Sequence, residues 1–82
     1  MIIVKVSVPS MEKEYDFQID EDVVMFEIRN EIIDMICRRN QCEMKGDRSR
    51  IMMWDAETKK MIDFTLSAAE NGLRSGSALV LA

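Results

Sequence analysis

Asp20 to Arg39, DEDVVMFEIRNEIIDMICRR, decides the fold, because it is the one run in the chain long and periodic enough for a multi-turn helix. Val24, Met25, Ile28, Ile32, Met35 and Ile36 recur at spacings of three and four. At about 100° per residue they share one face that can cover a sheet. Glu27, Glu31, Asp34 and Arg38 fall opposite. Asp20 is the expected N-cap, Glu21 and Asp22 meet the positive end of the helix dipole, and Arg38 and Arg39 meet the negative end. Phe26, Ile33 and Cys37 form a flank that neither face accounts for. It has two readings: a secondary binding surface, or core beneath the Asn40–Ser49 loop or the segment after Phe64.

On either side of the helix the period changes to two. Ile2, Val4, Val6 and Val8 alternate with Ile3, Lys5 and Ser7, a half-buried strand that Pro9 ends. After PSMEK, Tyr15, Phe17 and Ile19 alternate with Glu14, Asp16 and Gln18, so a second strand returns as a hairpin. Polar Asn40 to Ser49 with Gly46 reads as a loop, Arg50 to Trp54 as a third strand and Met61 to Phe64 as a short fourth. In the closing TLSAAENGLRSGSALVLA, Thr65 or Ser67 caps one helical turn, Gly72 and Gly76 permit positive φ, and Ala78 to Leu81 make the last strand.

The order is a hairpin, one long helix, then further strands. It predicts an α+β domain spanning residues 1–82, in which a mixed sheet of four to five strands packs on the helix. At 82 residues the chain buries only about 60% of the surface its unfolded form exposes. Some fifteen inward apolar side chains at ~1.5–3 kcal/mol each offset most of the chain entropy without disulfide or metal.

Composition narrows the function classes. With 48% hydrophobic and 32% charged residues, this is an ordinary globular composition. No apolar run approaches the roughly 20 residues that cross a bilayer. MIIVKVSV lacks the basic start of a signal peptide, so a cytoplasmic location is expected. A net charge of −4 without a basic run argues against nucleic acid. Arg38, Arg39, Lys45, Arg48 and Arg50 form a local basic excess that reads as a solvated loop.

Chemistry finds little purchase. There is no histidine, hence no usual general base or metal ligand. Cys37 and Cys42 are spaced neither as a redox pair nor as half a zinc site, and in a reducing cytoplasm they read as inert thiols. Gly72 to Gly76, GLRSG, lacks the Lys-Ser/Thr ending of a phosphate loop and leads into a strand. Helix capping and solvation explain the carboxylates. The expectation is no active site, no cofactor and no metal.

The element order, and especially TLSAAENGLRSGSALVLA with its Leu-Ser turn, Gly-Leu, Gly and Leu-Val-Leu strand, resembles the ubiquitin-like β-grasp. Within it the chain is most similar to the small bacterial YukD/EsaB-type proteins associated with type VII secretion systems. That resemblance implies a non-enzymatic accessory component whose partners are other secretion proteins. Conjugated β-grasp proteins and sulfur carriers use a Gly-Gly tail, whereas this sequence ends Leu81-Ala82, so conjugation is not expected.

In a β-grasp the first and last strands are neighbours and the third pairs with the last. Ile3, Met52, Trp54 and Val80 would then face outward as one candidate protein-binding patch, while Ile51, Met53, Leu79 and Leu81 point inward. Met52 would stand at its centre. A homodimer through this face or an exposed strand edge is the alternative use.

Overall fold

The computed structural model describes residues 1–41 and 50–82. β1 (Ile2–Val8) turns through a short 3-10 helix at Pro9–Met11 into β2 (Lys13–Ile19), followed by α1 (Met25–Asn40), β3 (Met53–Asp55) and β4 (Ala78–Leu81). One sheet runs in the order β2-β1-β4-β3. β1 pairs antiparallel with β2 and parallel with β4, which pairs antiparallel with β3. This is the mixed sheet crossed by one helix that the sequence predicts.

Alternation fixes the faces. Val4, Val6 and Val8 of β1, Phe17 and Ile19 of β2, Met53 of β3 and Leu79 and Leu81 of β4 are all buried beneath the helix. From α1, Met25, Ile28, Ile32, Ile33 and Ile36 fill the other side. Met35, expected on this stripe, is exposed, since the buried arc is centred nearer Ile32 and Ile36 and extends to Ile33 instead. Burying each such side chain is worth about 1.5–3 kcal/mol, which is how a chain of this size holds together.

The helix starts at Met25, not Asp20, and its N-cap Val24 makes no side-chain cap bond. Two carbonyls from far along the chain do the capping: Met25 N donates to Leu66 O at 2.8 Å and Phe26 N to Phe64 O at 3.0 Å. First-turn amides thus satisfied need no Asp20 oxygen. Asp20 instead closes a local turn, its Oδ1 accepting from Asp22 N at 2.9 Å. The far end follows expectation, with Arg38 and Arg39 in the last turn and Gln41 in the left-handed conformation at φ 50°.

Two other expectations shift. β3 begins at Met53 and not at Arg50; Met52 still exchanges both backbone bonds with Ala82, while Ile51 lies outside the ladder. Met61–Phe64 is not a strand: it contributes a bridge from Met61 to Trp54 before the backbone turns to cap the helix. The Asn40–Ser49 loop reading, with Cys42, Lys45, Gly46 and Arg48, lies almost wholly outside the described residues.

Ser67 rather than Thr65 caps the turn that follows. Its Oγ accepts from Glu70 N at 3.1 Å while Glu70 Oε1 accepts from Ser67 N at 3.1 Å, a reciprocal capping box. Asn71 locks the same turn, donating from Nδ2 to Ser67 O and Asp63 O. Since this turn directly follows Phe64 and Leu66, whose carbonyls cap α1, Ser67→Ala is expected to cost about 1–2 kcal/mol, read as a lower urea midpoint at unchanged slope.

Candidate functional site

The outer face of the sheet is the first place to look, because pairing register fixes which side chains meet there. Ser7 pairs with Glu14 on one side and with Val80 on the other, Val80 with Trp54, and Trp54 with Met61. Paired residues share a face, so one row crosses the sheet as Glu14, Ser7, Val80, Trp54, Met61. Met52 lies two residues along β3 from Trp54, on the same face, beside Ala82. Met52 is 40% exposed and Met61 52%, with Trp54 and Val80 half-buried between them.

Register separates the fourth expected member. Ile3 is 54% exposed, but it stands four residues before Ser7 on β1, beyond the row of Lys5 and Ala78. At about 3.3 Å per residue that places it ~13 Å along the strands from Val80 and farther still from Met52. The patch is therefore Met52, Trp54, Val80 and Met61, and Ile3 is isolated near Gly76 N, which donates to Ile3 O at 2.8 Å. No signal in the sequence marks Met61 as a member of the patch, because a single bridge has no periodic signature.

Charge flanks the patch on the β1–β2 side. Lys5 is paired with Asp16 across the strands and its Nζ lies 3.8 Å from Glu14, both side chains well exposed. At the opposite end of the strands the terminal ammonium of Met1 meets Glu21 at 2.8 Å. That hydrogen bond raises the amine above its ordinary pKa and lowers the Glu21 carboxyl.

The flank of Phe26, Ile33 and Cys37 breaks apart. Ile33 has no exposure at all and belongs to the core, so it is not part of a surface. Phe26 is 51% exposed and Cys37 is a half-buried free thiol packed against the core. Between Phe26 and Ile33 lies the residue the sequence reading passed over. Arg29 is 4% exposed, its guanidinium 4.5 Å from the Phe64 ring centre and 5.1 Å from that of Phe26. Nη1 donates to Ile51 O at 3.4 Å, and Nε is buried with no hydrogen-bond partner. Two rings thus stand where a carboxylate usually would. Its signal was the i, i+4 series Met25, Arg29, Ile33, which puts an arginine on the apolar face.

A hollow of about 370 Å³ opens between the turn after β3 and Gly72, lined by Asp55, Thr58, Lys60, Glu70 and Asn71 among others. Its lining is mixed, with Met61 and Ile62 beside the polar groups, and Asp55 Oδ1 is already occupied, accepting from Glu57 N and Thr58 N. Among the described residues no group of three metal-ligating side chains occurs, and no helix is long and apolar enough to cross a membrane.

Comparison with known proteins bears on the fold. No protein-family model and no curated protein sequence matches the chain. Among 283 matching solved chains, the solution structure of the ubiquitin-like domain of Arabidopsis thaliana protein At2g32350 aligns with a TM-score of 0.72. It covers 99% of this chain and 74% of that one at 17% identity. A second structure of At2g32350, from evolutionary couplings and sparse NMR data, gives 0.71 at 17% identity, over 99% and 83%. The fold is ubiquitin-like, and at this identity the likeness speaks for the fold alone.

Proposed function

We propose that the chain is a non-catalytic ubiquitin-like binding module that serves as an accessory component of a bacterial type VII secretion system. The observation that carries the binding reading is the clustering of Met52, Trp54, Met61 and Val80 on the outer sheet face. Two flexible methionines around an aromatic ring can adapt to a partner's shape, and a solvent-facing cluster marks an interface where single apolar residues do not. The secretion reading is supported by the resemblance of TLSAAENGLRSGSALVLA to the YukD/EsaB-type proteins, and a cytoplasmic location goes with it.

Met52→Asp tests the surface. The ion stays hydrated in the free protein but is stripped of water under a partner, so binding is expected to fall at least tenfold while the melting temperature moves by only a few degrees. Co-purification with the secretion system's membrane ATPase and its small secreted proteins supplies the readout. Retention of every partner by the variant moves the interface elsewhere. Failure of the unsubstituted chain to retain any of them removes the secretion reading and leaves the fold. Self-association through the face would show as a concentration-dependent mass that Met52→Asp abolishes.

A further inference from the structure

The outer sheet face carries a chemistry that its apolar contacts do not use. Met61 bridges directly to Trp54, and Met52 stands two residues before Trp54 on the same side of the sheet. Both thioether side chains are exposed. Met53, the very next residue, points the other way and is wholly buried, as is Met25 of α1. Alternation along the strand therefore sorts neighbouring methionines: an oxidant dissolved in water meets sulfur at positions 52 and 61 and is shut out at 53 and 25.

Hydrogen peroxide transfers one oxygen atom to a thioether. The sulfur lone pair attacks one peroxide oxygen, the O–O bond breaks, and the other oxygen leaves as water, so the sulfur is oxidised by two electrons and the peroxide reduced by two. A dipolar hydrogen-bond acceptor then stands where an apolar atom stood. In the free chain water solvates it, because both side chains already lie in solvent, and the fold loses little. Beneath a partner's apolar surface the same group is stripped of water with no donor to meet it, and contact is lost. The core is spared, since Met25 and Met53, which help to fill it, are out of reach. The step also reverses. A thiol-dependent methionine sulfoxide reductase returns the thioether, the oxygen leaving as water while two thiols become a disulfide, and side chains this exposed are open to such an enzyme.

We infer that Met52 and Met61 form a reversible oxidation site, at which a peroxide makes the outer sheet face polar and unfit for an apolar partner surface without unfolding the chain. The inference rests on the protein-binding reading of this face. In the test the folded chain is held in dilute hydrogen peroxide, the peroxide is removed, and the digest is mapped by mass at intervals. Beside it runs Met52→Leu with Met61→Leu, which keeps the face apolar and has no thioether at either position. One added oxygen is expected at Met52 and at Met61 well before Met53 or Met25, with the melting temperature moved by only a few degrees. Retention on a phenyl matrix reads the face without any partner. It is expected to fall on oxidation far more for the unsubstituted chain than for the double variant, and to recover with reductases for both sulfoxide epimers. Met1 and Met35, also exposed, oxidise in both chains and cancel in the comparison. Against the co-purified secretion proteins, oxidation is expected to weaken binding at least tenfold and to leave the double variant's binding unchanged. Oxidation of Met53 as fast as Met52, a collapse of the melting temperature, or equal loss of phenyl retention by the two chains would each overturn the inference. An untreated chain that captures no secretion protein removes the secretion reading alone, because the mass map and the phenyl matrix still decide this one.

Discussion

Ile33→Asp is expected to unfold the chain at room temperature. Ile33 is wholly buried, with neighbours Ile32, Ile36 and Arg29 on the same helix also packed inside. An aspartate there either ionises without water or folds only when protonated, and either route costs several kcal/mol. Domains of this size have about 5–15 kcal/mol in total, so the loss consumes most of the stability. Ile33→Val, which deletes one methylene, should cost only about 0.5–1.5 kcal/mol. Phe26→Ser is the intermediate variant, since half of that ring is already in water but its face holds the Arg29 guanidinium, and about 1–3 kcal/mol is expected. Circular-dichroism melts separate the three, and a folded Ile33→Asp chain with a normal melting temperature would mean that α1 is rotated from the orientation described.

Arg29 gives the second large effect, and its sign depends on what replaces it. Arg29→Ala removes both the alkyl stem and the guanidinium between Phe26 and Phe64, leaving a void that the fixed first turn of α1 cannot close. A loss of about 2–4 kcal/mol is expected. Arg29→Met keeps much of the stem's volume and removes a buried charge that has no carboxylate in either described ion pair and an unpartnered Nε. Swaps of that kind are commonly neutral or stabilising, so its urea midpoint should equal or exceed that of the unsubstituted chain. Should Met cost as much as Ala, the ring contacts and the bond to Ile51 O outweigh desolvation, and the cation is a net stabiliser.

Both variants probe the stretch from which the fold was read, and they mark how far that reading reached. Alternation in Ile2–Val8 and Tyr15–Ile19 and the three-four spacing from Met25 to Ile36 are local periods, and local geometry turns them directly into faces. For that reason the buried sides of β1, β2 and β4, the inward Met53, and the outward Met52, Trp54 and Val80 were legible from residue order. The Gly72 and Gly76 turns were legible too, since φ of 79° and 92° suits a residue without a side chain.

What residue order does not contain is where distant segments meet. The start of α1 was set by the carbonyls of Phe64 and Leu66, some forty residues away, which displaced Asp20 from the capping role its chemistry suits. Arg29 was drawn inside because Phe64 and Ile51 O arrive on its flank of the helix. On the sheet, a period of two assigned Ile3, Met52, Trp54 and Val80 to the outer face but not to one place on it. Only the register of β4 between β1 and β3 sent Ile3 to one end and Met52 to the other, and the turn after β3 brought Met61 in beside Trp54. Side-chain direction is a property of each residue's own backbone, whereas adjacency across strands depends on how pairing slides one segment past another.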